Sequence, residues 1–335
     1  MSPPVASSVP RFRLAAFWAG ALLCLGLALV GGLALGPLPV PVAEVVTVLR
    51  QPQADPLVGA VVWEIRLPRV LLAALVGAML SASGTVFQVL LRNPLADPYI
   101  LGVSGGAAVG AIVALLAAGT WIAWSMPAGA LAGALLTVGV VFLLAGGWRG
   151  AAGERLLLTG VVMGSLWGAC ITLFLSVSQD ERLRSVLFWL LGDLGQDMPL
   201  GWIGTAAALG ILGVWRLSRA MNALSFGDRH AWSLGVAVRP VRAVLYLAGS
   251  LLTAVSVSAA GTIGFVGLIV PHTVRLLGFS DHRWLIPGAA VVGAAFLVAA
   301  DTAARTVAAP VELPVGVVTA FVGAPFFLWL LRRRR

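Results

Sequence analysis

Arginine carries all of the fixed positive charge in this sequence: every one of the 22 lysine-plus-arginine positions is arginine. Two of these, Arg66 and Arg69, sit three residues apart in "EIRLPR", and a third, Arg305, lies in "ADTAARTVAAP". A guanidinium presents a planar fork of N–H groups that matches a carboxylate bidentately, so the chemistry on offer is carboxylate recognition. The competing reading is an arginine that anchors a helix end. Catalytic patterns are missing, with no Ser/His/Asp constellation and no paired carboxylates in the sequence. Without lysine the phosphate-binding loop GxxxxGK[ST] cannot occur, and no polar stretch is long enough for a nucleotide domain. Any ATP that drives this protein must be hydrolysed, with Mg, on a separate partner subunit, and the chain itself is expected to bind no cofactor and no metal. His230, His272 and His282 are not spaced for a shared metal. Cys24 and Cys170 fall in apolar runs and read as buried free thiols.

The elements that hold these residues are set by composition. The chain is 60% hydrophobic and 10% charged, with a mean hydropathy of +1.00, whereas soluble domains are roughly 25% charged. An all-α integral membrane protein is the predicted class. Leu14 to Leu35 runs 22 positions without a charge, and about 20 suffice to cross the hydrocarbon core. Further spans are predicted at 70–91, 99–118, 126–147, 156–177, 199–215, 242–260, 264–279, 285–304 and 313–331, making about ten. The segment 264–279 is punctuated by glycine and proline and suits a short or broken span. Continuous apolar runs, rather than alternation, argue against an outer-membrane barrel.

Arginine placement orients the spans. With both termini cytoplasmic, sixteen of the 22 arginines fall on the cytoplasmic side, including Arg11, Arg13 and Arg332 to Arg335, as the positive-inside rule requires. Arg66, Arg69, Arg182 and Arg305 then lie outside. The domain organisation is a cytoplasmic tail over 1–13, one transmembrane domain over 14–331 and a basic tail over 332–335. Scattered arginines in short loops do not form a nucleic-acid surface. An ion-coupled secondary transporter would need carboxylates deep in the spans, yet Asp97, Asp193, Asp197, Asp301 and Glu312 fall near span ends or in loops. A membrane-embedded enzyme or scaffold would need an intramembrane polar cluster, for which the sequence offers little.

Two polar stretches interrupt the oily pattern. Residues 216–242, "RLSRAMNALSFGDRHAWSLGVAVRPVR", form the longest cytoplasmic loop, and Leu224, Ala231, Leu234 and Val238 recur at near-helical spacing. That suits one or two short helices on the cytoplasmic face. Bundle connections usually need only about 2 to 8 residues, so a docking surface for a soluble partner is favoured over a topology anchor. The other stretch is "RNPLADPYILGVSGGA", residues 92–107. There Pro94 disfavours helix at Asn93, and Asp97 followed by Pro98 makes an N-cap and first helical residue. A tight cytoplasmic hairpin is predicted, with Ser104 and Gly105 thinning the start of the next span.

Five motifs resemble a known family: "RLPR" at 66–69, "RNPLADPYILGVSGGA" at 92–107, "FWLLGDLG" at 188–195, "GTIGFVGLIVPHTVRLL" at 261–277 and "ELPVGVVTAFVGAPFFLWLL" at 312–331. In order and spacing, from about residue 60 to the end, the chain is similar to the FecCD-type permeases. These are the transmembrane subunits of bacterial ABC importers for vitamin B12, iron-siderophores and haem. The resemblance implies a type II importer fold of ten helices in the inner membrane. A second copy forms a homodimer around the substrate path, and two cytoplasmic ATPase subunits and a periplasmic substrate-binding protein complete the complex.

Residue by residue, the resemblance implies that Arg66, Arg69 and Arg305 receive glutamates of the binding protein. Gly227, Asp228, Arg229, Leu234 and Gly235 match the coupling helices that seat in the ATPase subunits. Asn93, Pro94, Leu95, Ser104, Gly105, Gly164 and Ser165 are candidates for the path or its gate, with close helix packing as the alternative for the small residues. Which chelate is carried stays open among cobalamin, ferric siderophore and haem, with "FWLLGDLG" and the C-terminal block leaning toward the vitamin B12 permeases.

Overall fold

The computed structural model describes residues 10–118, 125–149, 153–177, 183–195 and 198–333. Most of the N-terminal tail, Arg182, Asp197, Arg334 and Arg335 lie outside the described residues. Fifteen α-helices are described. They are α1 (Arg11–Ala34), α2 (Val42–Arg50), α3 (Pro56–Ala60), α4 (Leu67–Leu90), α5 (Val103–Ala118), α6 (Ser125–Leu144), α7 (Gly153–Val177) and α8 (Leu183–Leu190). They continue as α9 (Leu200–Arg216), α10 (Ser218–Ser225), α11 (Asp228–Ser233), α12 (Val238–Ala260), α13 (Val266–Leu276), α14 (His282–Thr306) and α15 (Val315–Arg333). Six helical segments are long and apolar enough to cross a bilayer, seven if α9 and α10, bent by 54° at their junction, are one span. Three shorter apolar helices, Val103–Ala117, Val266–Leu276 and Val315–Trp329, fall where the sequence predicts further spans.

The centre of the bundle is α4, which packs against α14, α12, α13 and α9, while α1 and α7 are mostly uncovered by protein. Between helices in lipid no hydrophobic force is available, and close backbone approach through small residues takes its place. The crossings show it directly. A Cβ added at Gly77 of α4 would meet the carbonyl of Gly293 in α14, and one at Gly84 would meet the carbonyl of Gly267 in α13. Gly106 and Gly110 of α5 abut Gly133 and Gly129 of α6 in the same way.

Two predicted boundaries are corrected. The span expected from residue 70 belongs to one helical run of 35 residues, Pro56–Leu90, so "RLPR" lies inside a helix rather than ahead of it. Asp55 starts that run by accepting the N–H groups of Leu57 (3.0 Å) and Val58 (3.1 Å). Pro68, which has no N–H to give, is accommodated because Val61–Arg66 widens to a π-helical turn just before it. The span expected from residue 99 begins instead at Val103: Asp97 and Pro98 open a 3-10 turn, Pro98–Leu101, which closes at Gly102 with a left-handed φ of 72°. Cys24 is exposed on α1 rather than buried, and Cys170 is half-buried.

Candidate functional site at the two ends of the bundle

At one end, the last turn of α1 meets the start of α4 and the close of α14, and the three predicted arginines come together there. Asp301 joins two of them, accepting from Arg69 Nε (3.0 Å) and Arg305 Nε (2.9 Å). Arg69 Nη1 reaches Glu312 Oε2 at 2.7 Å. Arg305 also donates to the carbonyl of Gly32 (3.1 Å), and Arg66 donates to those of Leu33 (2.6 Å), Ala34 (3.0 Å) and Leu38. A helix leaves its last four carbonyls without intrahelical partners and a partial negative charge at that end. Arg66 and Arg305 therefore cap α1 from outside its own sequence.

For Arg66 and Arg305 the geometry suits the alternative of arginines that anchor a helix end. Each is 3% exposed and turns toward α1, whose last carbonyls lack intrahelical partners. Arg69 is the outermost, with 12% of its side chain exposed beside a Glu312 that is 45% exposed. Asp301 was legible in sequence only as a carboxylate near a span end. Its spacing of four from Arg305 on one helix was the available signal.

At the opposite end, α10 and α11 form the predicted loop helices. Met221, Ala223, Leu224 and Ala231 are buried and seat the pair on the bundle. Phe226 (62%), Trp232 (75%) and Leu234 (62%) are exposed, together with Arg229. Phe226 and Trp232 went unmarked in the sequence reading, although two aromatics in a basic loop were a signal. Gly227 starts α11 at φ 109° and ψ 160°, a region that only glycine enters without strain, and Gly235 ends it at φ 80°. Asp228, with 44% of its side chain exposed, pairs with Arg242 at 3.0 Å, and Arg242 donates to the carbonyl of Leu90 at 2.9 Å. It ties α11 to α12 and to the end of α4.

Between the ends of α4 and α5, the "RNPLADPY" turn docks on the "GTIGFVG" stretch that precedes α13. Asn93 Oδ1 accepts the Leu95 N–H (2.9 Å), fixing the turn. Asp97 accepts the N–H groups of Tyr99 (2.9 Å) and Phe265, and the Tyr99 hydroxyl accepts that of Ile263 at 3.2 Å. Gln88 adds bonds to the carbonyls of Gly267 and Leu268, both 3.2 Å. Two separate motifs in the sequence are one structure in space.

Asn93 is exposed, and Pro94, Leu95 and Ser104 are half-buried. Gly105 fits the packing alternative, since a Cβ there would sit 2.7 Å from Trp167 of α7, whereas one at Gly164 would meet only the Gly102 Cα at 3.9 Å, an ordinary contact. Ser165 stays on the exposed face of α7, its hydroxyl donating to the Val161 carbonyl at 3.1 Å.

Burial pushes the Asp97 carboxyl up to about 6 from its ordinary 3.8, with the two N–H bonds opposing the shift. The folded chain thus holds this proton more tightly than the unfolded chain does. Its contribution to stability falls as pH rises through the window between those two values and stays low above it. Asp97→Asn, which cannot ionise, is expected to lose that component. Comparing melting midpoints at pH 4 and pH 7 in detergent checks this: the fall from acid to neutral should be smaller in the variant than in the parent, and an equal fall rejects the assignment.

Comparison with known proteins covers nearly the whole chain. A family model described as the FecCD transport family matches residues 22–333. The haemin transport system permease protein of Yersinia pestis is 43% identical over 290 residues, covering 82% of this chain and 84% of the relative. The vitamin B12 import system permease protein of Escherichia coli O9:H4 (strain HS) is 45% identical over 276 residues, with the same two shares. Among solved structures, an inward-facing transporter described as of the metal-chelate ABC type superposes with a TM-score of 0.81 at 31% identity, covering 95% of this chain and 99% of that one.

Proposed function

This chain belongs to the FecCD transport family, and from that premise we propose that it is the permease of an ATP-driven importer in a bacterial inner membrane. It passes a metal chelate from a periplasmic binding protein to the cytoplasm by alternating access. The single observation that carries the reading beyond the family is the α10–α11 surface. Trp232 on α11 stands exposed, as do Phe226 and Leu234 just past the ends of α10 and α11, and an exposed apolar cluster of this kind suits a protein partner. In this reading that surface is cytoplasmic and receives the ATPase, Gly227 and Gly235 allow its tight turns, and Arg229 meets the partner's polar rim.

The remaining parts follow. Ten spans with both termini cytoplasmic place Arg69 and Glu312 outside, at the face that meets the binding protein. Two copies of the chain enclose the path, with Ser165 on the open face of α7 and Asn93, Pro94 and Leu95 at its inner mouth. No chemical step on the cargo is required. Closure of the ATPase pair shifts the loop helices and tips the equilibrium between outward-open and inward-open arrangements. The cargo is a metal chelate of the size of cobalamin, haem or a ferric siderophore. An ion-coupled mechanism would need a carboxylate open to the coupling ion, whereas the two oxygens of Asp301 are engaged by Arg69 and Arg305.

Charge reversal at Arg69 tests the orientation. Arg69→Glu is expected to lower the stimulation of ATP hydrolysis by the binding protein about tenfold or more, compared at matched amounts of folded complex because the change also breaks the pair with Asp301. Stimulation equal to that of the parent would remove Arg69 from the docking face.

A further inference from the structure

The exposed α10–α11 surface and the long α14 helix are joined by one side chain. Asn222, in α10, points Oδ1 at the first residue of α14, accepting the His282 N–H at 2.9 Å and lying 2.6 Å from His282 Nδ1. Its Nδ2 donates to Asp281 Oδ1 at 2.8 Å. Both donors face the amide oxygen and the carboxylate faces the amide nitrogen, so the orientation of the amide is settled by its partners. Because Oδ1 can only accept, His282 Nδ1 carries the proton.

A helix begins with N–H groups that lack partners inside it, and a local side chain usually takes one of them. Asp281 does so for α14, accepting the Arg283 N–H at 2.9 Å. The His282 N–H is taken instead by Asn222, sixty positions earlier in sequence. His282 is 4% exposed, and its Nε2 has no hydrogen-bond partner among the described residues. Breaking the Asn222 bond leaves a desolvated donor at the first residue of α14, where Asp281 caps only the Arg283 N–H. Trp215, from the end of α9, adds a second strap by donating Nε1 to the Arg283 carbonyl at 3.0 Å. From this clasp α14 runs unbroken to Asp301 and Arg305 at the other end of the bundle.

We infer that Asn222 is a positioning residue that carries displacement of the α10–α11 surface into α14, and so to the arginine cluster at the far end. The inference rests on the reading of that surface as the seat of the ATPase. A rigid two-point hold, amide to backbone and amide to carboxylate, moves the helix end with the loop, whereas packing alone lets the two slide.

The complex is reconstituted in proteoliposomes with its ATPase subunits and binding protein, and uptake of labelled cobalamin, haem and a ferric siderophore, each separately, is read against ATP hydrolysed. Asn222→Ala is expected to keep hydrolysis and to lower cargo carried per ATP about fivefold or more, the scale of coupling between sites. Folding is controlled by a second variant, Asn222→Cys with His282→Cys, built with Cys24→Ala and Cys170→Ala. Bridging its thiols with a short bifunctional reagent should restore the ratio in the same protein that was uncoupled before bridging. An unchanged ratio in Asn222→Ala, or a loss that bridging leaves in place, overturns the inference. If the parent complex shows no ATP-dependent uptake at all, the permease reading falls first and the clasp with it.

Discussion

Asp301→Ala is expected to destabilise the protein by about 3–5 kcal/mol, the cost of removing one partner from a buried ion pair. Asp301 is fully buried and is the only carboxylate among the described residues that touches both Arg69 and Arg305. Without it Arg305, 3% exposed, keeps its carbonyl bonds to α1 but has no counter-charge. Arg69 keeps only the exposed Glu312. Asp301→Asn retains one acceptor and should lose less. Glu312→Gln should cost under about 1 kcal/mol, since ion pairs open to water contribute little. Unfolding in detergent, followed by loss of helical signal, gives all three values. Equal losses for Asp301→Ala and Glu312→Gln would mean that the buried pair does not hold the cluster.

Gly84→Leu should be more damaging still, leaving little folded protein to purify. Even the first carbon of the new side chain would land on the Gly267 carbonyl, which is backbone and cannot rotate away. The crossing of α4 and α13 would have to open, and Gln88, one turn along, would lose its bonds to Gly267 and Leu268. Losses above about 4 kcal/mol arise from a short list of causes, and overpacking at a buried backbone contact is one. Gly20→Ala is the internal control. It lies on α1 with nothing within 4 Å of the added carbon, so helix propensity alone should make it neutral or stabilising by up to about 1 kcal/mol. Comparable yields of folded Gly84→Leu and Gly20→Ala would contradict the close crossing.

Much of this was legible in the residues. Apolar run lengths located the long helices, and the spacing of Leu224 and Ala231 pointed to one or two short helices between Arg216 and Arg242, where α10 and α11 lie. Failures occurred where a side chain answers to a distant backbone. Arg66 stays open between carboxylate recognition and a helix-end anchor until α1 is seen to end beside it, since its acceptors at Leu33 and Ala34 are 33 and 32 positions away. Asn222 is an unremarkable loop residue until His282 is folded against it. Gly105 could be read as path-lining or packing because thinness is the same in sequence whether the space is left open or filled by a neighbouring helix.

The permease reading is tested most directly by ATP-dependent uptake into proteoliposomes that contain this chain, an ATPase pair and a binding protein loaded with cobalamin, haem or a ferric siderophore. Uptake of one of these chelates that requires ATP, and that persists when proton and sodium gradients are collapsed, is the predicted result. Uptake that needs no ATPase subunit and stops when a gradient is removed would contradict it and identify an ion-coupled carrier.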